Sequence, residues 1–158
     1  MDDQQQQARQ FAADGMQALQ AGNGVGAEHA FKRAIDLGWP GADIWVTLSF
    51  AKSLQGDIKG RISALEKALE TDPSSTRARL HLGQALVGDN RGEDARAHFE
   101  KGLADAKFLT QRSAEIEKLV QAASAFLGRR GETEDTDHPI DDFAREHGVG
   151  SEPEDTAF

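Results

Sequence analysis

The chain has 158 residues, a formal charge of −9 at pH 7, and neither cysteine nor tyrosine. Without cysteine it has no disulfide and no thiolate metal site, and no apolar run approaches the ~18 residues of a membrane span. Residues 131–158 carry ten acidic side chains and one basic side chain, Arg145, whereas the first 130 residues are neutral overall. Because the excess charge is acidic and no basic stripe is present, we expect no nucleic-acid partner. The polar start, MDDQQQQARQ, has no apolar core, which predicts a cytoplasmic protein.

Hydrophobic periodicity predicts three pairs of helices, each followed by a turn that contains glycine or proline. We expect residues 1–7 to be frayed. The predicted helices lie at about 8–20, 27–37, 45–55, 58–71, 76–87 and 93–103. One long helical pattern then runs from Ala104 to Leu127, with Glu115 among its polar residues. We interpret its part over about 108–127 as a helix that caps the preceding pairs, and a dimerisation helix is the alternative.

The three pairs repeat with a period of 34 residues and without an insertion. Trp45 takes the place of Phe11 in the second pair, and Phe31, Leu65 and Phe99 correspond in the three pairs. A helix–turn–helix unit with this period resembles the tetratricopeptide repeat family. The resemblance implies an all-α fold, a right-handed superhelical array of antiparallel helix pairs (an α-solenoid). Its repeat domain covers residues 1–127, with units at about 8–41, 42–75 and 76–107.

Small residues recur at the positions where the helix backbones of such a unit approach closely. They are Gly15, Ser49, Gly83, Ala27 and Ala95. Every unit departs from the family pattern somewhere, and the main departures are Asp14, Arg61, Gly102 and a Pro40 that comes one residue late. Asp14 stands where Leu is usual, and Arg61 stands where a small residue is usual.

Residues 128–158 are acidic and poor in aliphatic side chains, so we expect a disordered tail. The segment HPIDDFAR interrupts it, and Pro139 suits the first position of a short helix over 139–147. Such a helix would present a docking motif made of Ile140, Asp141, Asp142 and Phe143. The alternative is a solvated tail with two incidental apolar residues.

The sequence contains no catalytic constellation that we would defend. No pair of its five histidines has the spacing of a zinc-binding helix with a supporting glutamate. The glycines at 22, 24 and 26 follow a helix rather than a strand, so they indicate a turn and not a phosphate loop. We therefore predict a protein that is not an enzyme and that has no cofactor and no metal.

The resemblance implies that the first helix of each unit lines a concave surface that binds partners. The residues that it places there are Ala12, Met16, Val46, Thr47, Phe50, Arg77, Leu80, His81, Gln84 and Lys118. We expect an exposed apolar strip of Met16, Val46, Phe50 and Leu80, with Arg77, His81 and Lys118 at its edges, as in a peptide-binding groove. The alternative is a strip that is closed against a neighbouring helix.

Some arrays of this family hold the C-terminal carboxylate of heat-shock chaperones with a clamp of Lys, Asn, Asn, Lys and Arg. Here Ala12, Met16 and Thr47 stand at the positions of the first three, and Arg77 and His81 match the last two only in part. A ligand with apolar anchors and some acidic character therefore fits better than a chaperone tail.

The first functional hypothesis is a monomeric adaptor or scaffold that binds a partner peptide, with its own tail as a candidate ligand. The second is a dedicated chaperone that is similar in length and repeat number to the class II chaperones of bacterial type III secretion. The third is a stand-alone relative of the repeats that precede the catalytic domains of some bacterial hydroxylases and sulfotransferases. The stretches ALEKALETDP and RARLHLGQAL carry that third resemblance.

Overall fold

The structure is a computed structural model that describes residues 2–135, with the side chains described up to residue 129. The described residues form seven α-helices and no strand. The helices are α1 (Asp3–Gln20), α2 (Gly24–Asp36), α3 (Asp43–Leu54), α4 (Ile58–Thr71), α5 (Thr76–Gly88), α6 (Gly92–Ala106) and α7 (Ala114–Asp135). From α1 to α6 each helix packs on the next one, and α3 also contacts α1 and α5. The predicted all-α array of helix pairs is confirmed.

Side chains cap several of the helices where the sequence changes from turn to helix. The carboxylate of Asp2 accepts a 2.8 Å hydrogen bond from the Gln4 amide, so α1 already begins at Asp3 and not near residue 8. Asn23 caps α2, Asp57 caps α4 and Ser75 caps α5 in the same way. These caps fix where each helix starts, and therefore which face it turns towards its neighbours.

The prediction of one helical pattern from Ala104 to Leu127 was wrong. Helix α6 ends at Ala106, and residues 107–113 separate it from α7. Arg112 Nε donates a 3.0 Å hydrogen bond to the Ala106 carbonyl, while Ser113 Oγ accepts one of 3.2 Å from the Ile116 amide. Hydrogen bonds of these two kinds terminate one helix and start the next, and hydrophobic periodicity alone does not report them.

Helix α7 continues to Asp135, past the predicted end at Leu127. The docking motif of Ile140, Asp141, Asp142 and Phe143 and the predicted helix 139–147 lie outside the described residues. Contacts divide the chain into a unit of Met1–Ser124 and a unit of Ala125–Phe158. All packing described below belongs to the first unit.

In the first and third helix pairs a glycine on one helix faces a buried phenylalanine on the other. A methyl group in place of a Gly15 hydrogen would lie 2.6 Å from Phe31 Cδ1, and one on Gly83 would lie 2.4 Å from Phe99 Cε1. Both distances are far below van der Waals contact, so only glycine lets the ring lie against the helix backbone. Phe31 and Phe99 are almost completely buried.

The second pair solves the same packing problem with different residues. Ser49 stands at the glycine position and Leu65 at the phenylalanine position, and both are fully buried. The Ser49 hydroxyl donates a 2.6 Å hydrogen bond to the Val46 carbonyl of its own helix, so its burial leaves no unpaired donor. A larger residue on α3 is thus matched by a smaller one on α4.

A cluster of charged residues joins the first pair to the second. Glu28 of α2 lies 2.5 Å from Lys32 Nζ and 2.7 Å from Lys52 Nζ of α3. Gln55 Nε2 donates a further 2.7 Å hydrogen bond to the same carboxylate. Lys52 also lies 3.3 Å from Asp57, which caps α4. This cluster therefore connects three consecutive helices.

Candidate ligand groove

One file of accessible side chains crosses the odd-numbered helices at intervals of one repeat. Met16 of α1 is 41% exposed, Phe50 of α3 and Gln84 of α5 are half-buried, and Lys118 of α7 is exposed. Thr47, also on α3, is half-buried, and its hydroxyl bonds to backbone carbonyls of its own helix. Together with Arg77, these five residues are the members of the predicted binding surface that are accessible to a ligand.

The expectation of an exposed apolar strip was wrong for Val46 and Leu80, which are 0% exposed. Ala12, another residue of the predicted binding surface, is 8% exposed. Leu80 lies over Gly102 of α6, where an added methyl group would be 2.5 Å from Leu80 Cδ2. Gly102, which departs from the family pattern, therefore gives Leu80 its place between the helices. The strip is closed against its neighbours at these positions, as in the alternative interpretation.

Four polar residues from three helices form a polar cluster beside Phe50 of this file. Arg77 Nε donates to both carboxylate oxygens of Glu115 at 3.0 Å, and its Nη1 lies 3.2 Å from Asp43 Oδ1. His81 Nε2 lies 2.7 Å from Glu115 Oε1. The Arg77 guanidinium carbon is 5.6 Å from the centroid of the Phe50 ring, and the His81 ring meets the same ring edge-on at 4.9 Å. The Phe50 ring therefore packs against both the guanidinium of Arg77 and the imidazole of His81.

The burial of His81 changes its acid–base properties. It is only 7% exposed, so it does not form the open edge that the sequence predicted. Burial lowers the pKa of His81 below its usual 6.5, and the charges of Arg77 and Arg61 lower it further, against the opposing effect of Glu115. A neutral imidazole has one N–H group, and the contact with Glu115 places it on Nε2.

The same contacts keep Glu115 ionised. Burial by itself raises the pKa of this carboxyl group, but the hydrogen bonds and charges of His81 and Arg77 outweigh burial, and the resulting pKa is below the usual value. A carboxylate, a guanidinium and a neutral imidazole thus share one site. The predicted positive edge of the groove is therefore largely neutralised by residues of the same chain.

Glu115 was not among the predicted site residues, and Asp43, which the repeat geometry places on the same inner face, was not assigned to the binding surface. Their distance in sequence from their partners was the available signal, because Asp43 and Arg77, like His81 and Glu115, are 34 residues apart. Equivalent positions on successive odd-numbered helices face each other across one repeat. At these positions, α7 therefore lies next to α5 in the same register in which α5 lies next to α3.

Arg61 of α4 is half-buried at the position where the other units have Ala27 and Ala95. Its Nε is buried and has no hydrogen-bond partner within the described part of the chain. Burial lowers the pKa of this guanidinium, and its charge is close enough to lower the pKa of His81. Arg61 therefore adds positive charge next to the polar cluster.

Away from this file and the polar cluster, a cleft of about 570 Å³ lies at the end of the first helix pair. It is lined by Gln5, Ala8, Arg9, Leu37, Gly38, Trp39 and Pro40. Within residues 2–135 no group of three or more His, Asp or Glu side chains is placed to hold a metal ion. Among the same residues, no helix is both long and apolar enough to cross a membrane.

Comparison with known proteins agrees with this geometry. The family model that describes the tetratricopeptide repeat matches residues 53–122. The matched residues include α4, α5, α6 and the first part of α7. The chain departs from the carboxylate clamp at Ala12, Met16 and Thr47, where no long polar side chain is present. Comparison of the sequence with curated proteins gives no match.

Several solved tetratricopeptide repeat structures are similar to the chain. PcrH in complex with the chaperone-binding region of PopB has a TM-score of 0.67 and 18% identity, and the match covers 80% of this chain and 97% of that one. The TPR2B domain of yeast Sti1, in a complex with Hsp70, has a TM-score of 0.66 and 20% identity, with 76% and 98% coverage. MamA has a TM-score of 0.61 and 25% identity, with 70% and 62% coverage. The first two likenesses show the shared fold alone.

Proposed function

We propose that this tetratricopeptide repeat domain is a non-catalytic adaptor that binds a peptide segment of a partner protein along α1, α3 and α5. The observation that carries the proposal is the file of Met16, Phe50, Gln84 and Lys118, which offers one accessible side chain from each odd-numbered helix. Apolar groups at one end and polar groups at the other suit a peptide with apolar anchors and acidic residues. PcrH and the yeast Sti1 domain, which share the fold, are each seen with a segment or peptide of another protein.

The test is a selection from a display library of random 12-residue peptides on the full chain. Met16→Arg places a charge in the file, and Val25→Arg is the matched control, because Val25 is 69% exposed on α2. The wild-type chain and the Val25→Arg variant should enrich the same peptides, whereas Met16→Arg should lose them. Thermal unfolding checks that both variants are folded. Equal enrichment by all three proteins, or no enrichment by the wild type, would refute the proposal.

A second proposed ligand is the docking motif of the chain itself, Ile140, Asp141, Asp142 and Phe143. Its two apolar and two acidic residues have the chemistry that the groove favours. In the full chain, Ile140→Ser together with Phe143→Ser should shift the amide resonances of Met16, Phe50 and Gln84. Val149→Ser, also an apolar change in the acidic segment, should leave them in place. Identical spectra for all three proteins would exclude the motif as a ligand of this groove.

A second candidate function is a chaperone that is dedicated to one client protein. The observation that favours it is the match to PcrH, which covers 97% of that chain and includes a complex with a chaperone-binding region. A chaperone of this kind would keep its client soluble, and an adaptor would not. Co-expression of the chain with proteins that carry the selected peptides, followed by measurement of their soluble fraction, separates the two functions.

A further inference from the structure

Glu115 occupies a position in the groove that a ligand carboxylate would also suit. It lies in the first turn of α7, yet its hydrogen-bond partners Arg77 and His81 are both on α5. Both of its carboxylate oxygens accept a hydrogen bond from the Nε–H of Arg77. One of them, Oε1, also accepts a hydrogen bond from His81 Nε2. A carboxylate that receives several charge-assisted or buried hydrogen bonds is held in a defined orientation.

Two carboxylates of the same chain, Glu115 and Asp43, accept the hydrogen bonds of Arg77 Nε, Arg77 Nη1 and His81 Nε2. Arg77 is shared between Glu115 and Asp43, and the Asp43 side chain is 85% exposed, so that pair is weak. Arg61 adds a positive charge nearby, and its buried Nε has no hydrogen-bond partner within the described residues. The site thus keeps its capacity to hold a carboxylate if Glu115 leaves.

The site also continues into the accessible file. Phe50 contacts both Arg77 and His81 and is itself half-buried. Met16 lies one repeat before Phe50 on the neighbouring helix α1. A peptide whose acidic side chain reached Arg77 would therefore place an adjacent apolar side chain against Phe50.

We propose that Glu115 is a built-in competitor at this site, and that an aspartate or glutamate side chain of the partner peptide displaces it from Arg77 and His81. This inference rests on the proposed peptide-binding function and deepens it. A competitor on the same chain acts at a high effective concentration, which weakens the apparent affinity for the partner. Removal of its charge should strengthen binding by about tenfold, the effect of one such exchange of charge-assisted hydrogen bonds.

The experiment uses the full chain with Glu115→Gln, which keeps the shape of the side chain but removes its charge. Glu117→Gln is the matched control, because Glu117 is on the same helical turn and lies 3.6 Å from Arg112 instead of the groove residues. Both are exposed to the same display library, whose peptides are joined to the carrier by their C-termini. Glu115→Gln should enrich clones with Asp or Glu next to an apolar residue. Synthetic copies of these peptides with amidated C-termini should bind the Glu115→Gln variant about tenfold more tightly than they bind the wild-type chain.

A second experiment replaces the Asp or Glu of each synthetic peptide with Asn or Gln. The gain in affinity of the Glu115→Gln variant should then vanish, and the Glu117→Gln variant should bind all peptides as the wild type does. If peptides bind the wild type and Glu115→Gln equally while Met16→Arg still abolishes binding, the competitor role is refuted and the adaptor function stands. If Met16→Arg binds as well, the groove itself is refuted. If Glu115→Gln does not fold, Glu115→Asp shortens the reach to Arg77 and must show the same gain, or the inference fails.

Discussion

His81 and Glu115 are one repeat length apart in the chain, and a 2.7 Å hydrogen bond joins them. Asp43 and Arg77 have the same separation and are also paired, at 3.2 Å. Each pair connects equivalent positions of successive odd-numbered helices. The repeat period therefore determines side-chain contacts as well as the positions of helices.

The position of His81 in this cluster makes its protonation measurable. Because burial and two nearby guanidinium groups lower its pKa, the ring should be neutral at pH 6.5 and should titrate below that pH. The unfolded chain then takes up a proton at a higher pH than the folded chain. The contribution of His81 to stability should therefore be constant above about pH 6.5 and should fall as the pH decreases towards the folded pKa.

Ring ¹H–¹⁵N spectra recorded against pH measure this titration directly. Glu115→Gln should lower the pKa of His81 further, because Glu115 opposes the effect of burial. Arg61→Ala should raise the pKa, because a nearby positive charge is removed. A titration above pH 6.5, or a shift of the same sign in both variants, would contradict the described cluster.

The charged cluster around Glu28 should account for part of the acid sensitivity of the fold. Burial tends to raise the pKa of Glu28, but the bonds from Lys32, Lys52 and Gln55 outweigh it and lower the pKa to about 2. Since the folded pKa lies below the unfolded value of 4.5, this stabilisation is present above pH 4.5 and is lost between pH 4.5 and about 2.

Glu28→Gln should lower the free energy of unfolding by about 1–2 kcal/mol at pH 7 and by less at pH 3, where part of the stabilisation by Glu28 is already lost. Urea denaturation at the two pH values measures both. Glu70→Gln is the control, because Glu70 is largely exposed and pairs only with Lys67 of its own helix; its cost should be below about 0.5 kcal/mol. Equal losses in the two variants would show that the Glu28 cluster contributes nothing beyond a surface pair.

Two glycines of α5 should respond in opposite ways to alanine. Gly83→Ala forces a methyl group into the Phe99 ring and should cost about 1–3 kcal/mol in the free energy of unfolding. Gly88 has no atom within 4 Å of an added methyl group, so Gly88→Ala should stabilise the fold by up to about 1 kcal/mol. Thermal and denaturant unfolding of both variants test this, and a neutral Gly83→Ala would be incompatible with the close contact.

The second helix pair suggests how the cost at Gly83 can be removed. There, Ser49 and Leu65 fill the space that Gly83 and Phe99 fill in the third pair. Gly83→Ser and Phe99→Leu should each destabilise the protein alone. The double variant should be more stable than their sum predicts by at least about 1 kcal/mol. A double-mutant cycle measures this coupling, and simple additivity would mean that the two pairs do not pack alike.

The period of 34 residues was sufficient to predict the six paired helices and the close approach at Gly15 and Gly83. Periodicity did not predict the break at 107–113, because that break depends on hydrogen bonds from Arg112 and Ser113. Both residues are compatible with a helix. The local hydrogen bonds of these side chains therefore set the boundary between α6 and α7, although the apolar pattern continues through it.

The candidate site was predictable only in part. Met16, Phe50, Thr47, Gln84 and Lys118 are accessible as expected, but Val46 and Leu80 are buried. The burial of Leu80 depends on how closely α5 and α6 approach at Gly102. A projection onto one helix face does not contain that distance. Glu115 was missed for a similar reason, since its role arises only when α7 is in register with α5.

The contact pattern of helices α1 to α6 has a consequence for the rate of folding. Each helix packs on its successor, and α3 also meets α1 and α5, so the contacting helices are close in sequence. Contacts of this kind close short loops, and helical proteins that are rich in them fold on the order of microseconds to milliseconds. Any of the three pairs can nucleate, and its neighbours then add to it. In a folding chain, the adjoining surfaces of α3 and α5 can therefore form without contacts from the C-terminal residues.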